Sequence, residues 1–146
     1  MAKWWFHYDE WNPVELRSLM TDDFAFTCRS DTGATDYEDF IRCDIRRVDA
    51  VMAWKEDHRA NSPYPLRHNG ANFVITDDRE RDVDFSSYIF VTKIVHGRPV
   101  SLSTGITSGT ARRTPTGMLL ERVETVLDTQ DSVRYADAQA ATAPRS

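Results

Sequence analysis

The chain has 146 residues and a formal net charge of −5. That length suits one domain able to bury roughly two thirds of its unfolded surface. The acidic balance argues against nucleic acid or an anionic membrane as partner, because both demand a basic surface that displaces counterions. Arg46 with Arg47 and Arg112 with Arg113 are pairs, not a basic stripe. There is no apolar run of about 18 residues, and the opening M-A-K-W-W-F-H-Y-D-E lacks the zones of a signal peptide, so the expected location is cytoplasmic.

Helix comes first along the chain. Asn12 and Pro13 read as a helix cap and a first helical residue, and Val14, Leu16, Leu19 and Met20 carry the helix to about Thr21. Phe24 and Phe26 alternate with Ala25 and Thr27 in a short strand that runs into the turn S-D-T-G. Ile41, Ile45, Val48 and Met52 then recur at spacings of four, three and four, which predicts one long helix from Asp36 to about Arg59. Asp36, Glu38 and Asp39 fall in its first turn, with His58 and Arg59 at its end, as the helix dipole prefers.

Sheet follows. N-S-P-Y-P, from Asn61 to Pro65, stops the helix and delivers the chain to a strand, L-R-H-N-G-A-N-F-V-I. Alternation puts His68, Gly70 and Asn72 on one face of that strand, with Asn69, Ala71 and Phe73 on the other. After a turn at Asp77 and Asp78, Val83 to Val95 reads as a long strand, His96 to Pro99 as a hairpin turn, and Val100 to Ala111 as a strand with Val100, Leu102, Thr104 and Ile106 on one face. Pro115 to Gly117 turns into a last strand, Met118 to Asp128. Residues 1–135 are thus expected to form one α+β domain, with helices packed across an antiparallel meander. Residues 136–146, which lack large apolar side chains, are expected to be a disordered tail.

Cys28 and Cys43 lack metal or redox spacing and read as buried small hydrophobes, and the four histidines show no ligand pattern. Neither a metal nor a cofactor is called for. His68 admits two readings, a half-buried histidine bonded to a backbone carbonyl or a general acid and base, since its ordinary pKa lies near neutrality. Asp82 and Asp84 read as exposed acids beside a turn. Trp4, Trp5, Phe6, Trp11 and Trp54 read as core and pocket wall, in a density that suits a flat ligand.

Four phrases in this order carry a resemblance: E-L-R-S-L-M-T-D-D-F-A-F, Y-E-D-F-I, R-H-N-G-A-N-F-V-I, and T-S-G-T-A-R-R followed by G-M-L-L-E-R-V-E-T-V-L-D. From about Trp4 to Asp128 the chain resembles the SnoaL-like branch of the nuclear-transport-factor-two-like superfamily, whose members include polyketide cyclases, scytalone dehydratase, bile-acid 7α-dehydratase and the small subunits of ring-hydroxylating dioxygenases. The resemblance implies a cone-shaped, curved antiparallel sheet enclosing a single pocket. It also implies a histidine and aspartate pair, carried onto His68 and Asp9, in a cofactor-free lyase or isomerase of dehydratase or cyclase type. The dehydratase tyrosine five positions before the aspartate is Trp4 here, and Tyr8, beside Asp9, is the substitute acid. Trp4, Tyr37, Trp54, Tyr64, Asn72 and Tyr88 are the expected pocket residues.

The ligand implied is a small hydrophobic or aromatic molecule, a ring-containing carbonyl compound, and the assembly implied is a homodimer or homotrimer. The same resemblance leaves two alternatives open. One is a non-catalytic small subunit of a ring-hydroxylating dioxygenase, since the chain carries no iron-sulfur ligand motif of its own; the other is a plain ligand-binding protein.

Overall fold

The computed structural model describes residues 1–142. Two short helices, α1 (Ala2–Asp9) and α2 (Pro13–Ser18), lead into β1 (Met20–Ser30), a single turn α3 (Glu38–Ile41), β2 (Cys43–Arg46) and α4 (Val48–Ala60). Four long strands follow, β3 (Leu66–Asp78), β4 (Asp82–Val95), β5 (Arg98–Thr114) and β6 (Gly117–Leu127), and then helix α5 (Tyr135–Thr142). The expectation of a disordered tail falls partly on α5 and partly on 143–146, which lie outside the described residues.

All six strands join one curved, unclosed sheet in the order β2-β1-β6-β5-β4-β3. The expected meander is its β3 to β6 portion. The N-terminal strand adds something that the meander reading lacked: β1 lies parallel to β6, pairing Phe26 with Val123 and Ser30 with Leu127, and β2 forms the edge beyond it. The sheet is therefore mixed, not purely antiparallel.

The long helix expected from Asp36 to Arg59 is three elements. Arg42 is extended (φ −66°, ψ 123°) and Arg47 has a positive φ of 76°, so helical geometry fails on both sides of Cys43–Arg46. Those four residues bond instead to β1, with Ile45 opposite Phe26 and Cys43 opposite Cys28. A β-branched residue in each segment happened to fall at helical spacing, and pairing with a neighbouring strand overrode that pattern. Cys28 and Cys43 are both free and buried.

The core lies between α1, α2 and α4 on one side and the inward face of the sheet on the other. Trp4, Leu16, Val48 and Val51 pack there with Phe24, Phe26, Ile89 and Val123. Strand parity sorts the sheet cleanly along β4, where Phe85, Ser87, Ile89 and Val91 are buried while Tyr88 and Phe90 are exposed. Along β5 the expected alternation is broken. Val91 pairs with Ser103 and Thr92 with Ser101, so Leu102 is the extra residue of a bulge and leaves the face that Ile106 keeps opposite Tyr88.

Two glycines on β5 let adjacent layers approach. A Cβ at Gly109 would meet the Phe85 ring at 2.6 Å and the Arg122 carbonyl closer still, and one at Gly105 would meet the Leu127 Cα at 2.9 Å. Gly109→Ala is therefore expected to cost about 3 kcal/mol, a fall of about 6–12 °C in melting temperature for a chain of this size. Gly70→Ala, whose added Cβ meets nothing within 4 Å, should stay within about 0.5 kcal/mol. Thermal unfolding of the two variants side by side checks this.

Candidate active site

Three elements supply the site. On α1 the helical repeat turns Trp4, Trp5, Tyr8 and Asp9 to the interior. On α4 the buried stripe runs Val48, Val51, Lys55 and continues to His58. On β3 alternate residues Leu66 and His68 face inward, His68 lying opposite Val91 of β4.

Asp9 and His68 bind each other twice. The Nδ1 of His68 donates to Oδ1 of Asp9 at 2.5 Å, and the backbone N–H of His68 donates to Oδ2 at 2.8 Å. An ionised carboxylate only accepts, so the ring proton is held on Nδ1 and Nε2 keeps its lone pair. The Arg59 guanidinium fixes Asp9 from behind, with Nε and Nη2 donating to its main-chain carbonyl at 3.1 and 3.0 Å. Trp5 lies flat on the His68 ring, 4.5 Å between centroids and 3° between planes, and Tyr8 meets it edge-on at 5.4 Å. The ring is thus fixed in orientation by packing as well as by hydrogen bonds.

A second pair stands beside the first. The Tyr8 hydroxyl and Nδ1 of His58 share a short hydrogen bond. His58 is sandwiched between Phe40 and Trp54, at 4.3 and 4.6 Å. Burial, helped by the neighbouring basic side chains of Lys55, His68 and Arg59, lowers its pKa to about 4, so it is neutral at physiological pH. Burial also pushes the Tyr8 hydroxyl well above its ordinary value. With a neutral Tyr8 donating to Nδ1, the His58 proton sits on Nε2, which is buried and has no hydrogen-bond partner among the described residues.

These groups line a cavity of about 250 Å³. Phe26, Trp54, Leu66, Ile89, Val91 and Leu127 make apolar wall, and Tyr8, Lys55, His58, Ser62, His68 and Thr125 supply polar groups. Tyr37, Phe40 and Leu102, about two fifths exposed, form the rim. Such a space suits a compact ligand of one or two rings.

Of the residues expected in the pocket, Tyr37 and Trp54 line it, and four do not. Trp4 is fully buried beneath the cavity floor, packed on Phe24 and Phe26 with its indole N–H directed to Met20, because the residue that α1 presents to the cavity is Trp5. Tyr88 lies on the outer face, since its neighbours Ile89 and Val91 take the inner one. Asn72 is exposed, with φ 51°, at the bulge between Ala71 and Val74 that ends the expected alternation of His68, Gly70 and Asn72. Tyr64 is 69 % exposed on the far side, beside Arg59 and Arg67. Asp82 is half-buried, and Asp84 is half-buried in an ion pair with Arg79, which with Thr110 holds its carboxyl down at about 2.

Sequence reasoning placed Trp5 only among core and pocket-wall aromatics, and it missed Lys55 and His58 as site groups. The signal was present: Lys55 and His58 interrupt the inward stripe of α4 with polar side chains, the pattern that marks a lined cavity and not a solid core. Among the described residues, no three His, Cys, Asp or Glu side chains converge as metal ligands, and no helix is long and apolar enough to cross a membrane.

His58 generates a prediction with a definite sign. Its folded pKa is lowered, so the unfolded chain binds a proton first, and stability is lost as pH falls from about 6.5 towards 4. The loss amounts to at most about 3 kcal/mol. His58→Gln keeps an acceptor for Tyr8 but does not titrate, so its stability should fall less than the wild type's across that window. Parallel unfolding curves at pH 6.5 and 4 would contradict the assignment.

No protein-family profile matches the sequence, and no curated protein does. Solved structures match over nearly the whole chain. An NTF2-like protein with a cystatin-like fold from Novosphingobium aromaticivorans superposes with a TM-score of 0.69 at 21 % identity, covering 94 % of this chain and 81 % of that one. A candidate scytalone dehydratase from the same organism gives 0.66 at 16 % identity, over 92 % and 84 %. The beta subunit of a candidate aromatic-ring-hydroxylating dioxygenase, also from N. aromaticivorans, gives 0.70 at 13 % identity, over 92 % and 88 %. At such identities the likeness speaks for architecture alone, and it agrees with the element order, the curved sheet and the helices laid across it: the chain has the NTF2-like, cystatin-like cone fold.

Proposed function

We propose that this protein is a cofactor-free lyase or isomerase, of dehydratase or cyclase type, acting on a small ring-containing carbonyl compound. The observation that carries the reading is the pair of hydrogen bonds that His68 donates to Asp9, which leaves the Nε2 lone pair of a cavity-lining ring available as a base. A candidate scytalone dehydratase among the similar structures supports the same reaction class.

His68 takes a proton α to the carbonyl through Nε2, and Asp9 stabilises the imidazolium that forms. Loss of a β-hydroxyl then completes a dehydration. The departing hydroxide takes a proton from the Tyr8 hydroxyl, which is kept protonated by burial, and the proton on His68 restores that donor. In an isomerisation the same imidazolium returns its proton to another carbon. The apolar wall excludes water, which strengthens each of these interactions.

The test uses a panel of cyclic ketones and β-hydroxy ketones in D₂O, read by NMR for α-proton exchange and water loss. His68→Gln and Asp9→Asn should each lower the rate by about 10²–10⁴-fold while the fold survives. Full activity in His68→Gln would overturn the assignment, as would an inert wild-type protein across the panel.

A second reading, a subunit that works by association, is favoured by the outer sheet face. There Tyr88, Phe90 and Ile106 are 40 to 56 % exposed on adjacent strands, opposite the cavity side. An apolar patch of this kind is a common mark of an interface. We propose that it joins copies of this chain into a dimer or trimer. Phe90→Glu should then yield monomers by analytical ultracentrifugation, whereas a wild-type monomer at micromolar concentration would remove the proposal.

A further inference from the structure

Lys55 takes no part in the reaction just described, yet no other charged side chain of the described residues is so deeply placed, at 1 % exposure. Its Nζ lies 4.0, 4.1 and 4.5 Å from the ring centroids of Trp4, Phe26 and Tyr8. Among the described residues it has neither an ion pair nor a hydrogen bond, so three ring faces are its main company. Cation-π attraction repays only part of the desolvation of a buried ammonium. Burial accordingly brings its pKa down to about 7.

The groups around it allow the neutral form. Tyr8 and Asp9 face it from α1, Cys28 from β1, Cys43 from β2 and His58 from its own helix. Burial pushes the thiols of Cys28 and Cys43 up to about 12 and about 11, so neither is an anion near neutrality. Tyr8 and His58 are uncharged there too. Asp9 is the one anion of the set, and it is already bound to His68. Lys55 also lines the cavity, so its amine and a ligand share one space.

We propose that Lys55 is a Schiff-base lysine, whose neutral amine captures the carbonyl carbon of an aldehyde or ketone held in the cavity. The Nζ lone pair forms the C–N bond while the carbonyl π pair moves to oxygen and takes a proton that solvent has delivered to Nε2 of His68. The nitrogen of this carbinolamine gives up a proton to His68. The hydroxyl then leaves, takes that proton, and departs as water, leaving a protonated imine. Amine, carbonyl compound and one proton thus become iminium and water. The iminium draws electrons from the neighbouring carbon, which makes the α-proton within reach of His68 more acidic.

This step rests on the carbonyl reading above for its ligand class, but its test does not need turnover. Benzaldehyde serves as the probe, with sodium cyanoborohydride to fix any imine, on the full folded chain, followed by intact mass and peptide mapping. The sequence has three lysines, Lys3, Lys55 and Lys93, so the other two and the N-terminal amine are internal controls. One benzyl group on Lys55 is expected, with a labelling rate half-maximal near pH 7 and at least about tenfold faster than at Lys3 or Lys93. Lys55→Met should lose that adduct and keep the others. Should the variant not fold, mapping of the wild type still decides. Modification of Lys3, Lys93 or the N-terminus with Lys55 untouched would overturn the proposal. A Lys55 adduct with no α-proton exchange on the ketone panel would uphold it and sink the acid-base reading, and the converse would do the reverse.

Discussion

The carboxylate and carbonyl of Asp9 hold three elements together. Its side chain is the last inward group of α1, its two oxygens take the ring and the backbone N–H of His68 at the start of β3, and its main-chain carbonyl takes the Arg59 fork from the end of α4. The His68 and Asp9 side chains are 10 % and 5 % exposed, so solvent screens the pair little. Removing one partner of such a pair leaves the other buried and unpaired, at a cost on the order of 3 kcal/mol. The same contact sets where α1 lies against the mouth of the sheet, and so where Trp5 and Tyr8 meet His68. Architecture and chemistry are therefore not separable at this residue.

The sheet explains how a cavity survives inside so small a domain. Helices could close fully on a flat, evenly pleated surface, but β5 brings Gly105 and Gly109 under its neighbours and β-bulges occur at Leu102 and beside Asn72. Bulges bend a strand and raise its twist, and glycine lets layers approach where a Cβ would collide. The resulting curvature leaves a hollow on the inner face, which large aromatic side chains from α1 and α4 roof without filling. Trp54 and Phe40 reach His58, and Trp5 reaches His68, so the aromatic residues serve as wall and as clamps for the two imidazoles.

Much of this was legible in the residues. The four-strand meander follows from β-branched and aromatic runs divided by turn residues, and the cone follows from the ordered phrases that resemble a known superfamily. The pairing of Asp9 with His68, fifty-nine positions apart, came from that resemblance; periodicity carries no information about it. What failed did so for local reasons. Ile45 fell at helical spacing but bonds across to Phe26, so a pattern of period near 3.6 concealed an edge strand. Tyr88 and Trp4 were each one residue away from the side chain that faces the hollow, Ile89 and Trp5, because parity and helix phase need an origin that sequence alone did not provide. Asn72 was lost to a bulge, which shifts parity midway along a strand.

One wall gives three bases three different surroundings, and the difference is geometric. His58 sits between two aromatic rings beside other basic side chains, and burial above all keeps it neutral. Lys55 has ring faces but no carboxylate in contact, so attraction to the rings opposes burial without overcoming it. Only His68 has an anion bonded to its ring. Of the three, His68 alone has a carboxylate at contact distance, and its ring lines the cavity. The placement of Asp9 thus separates one base with a bonded carboxylate from two that burial drives toward their neutral forms, a donor and a nucleophile.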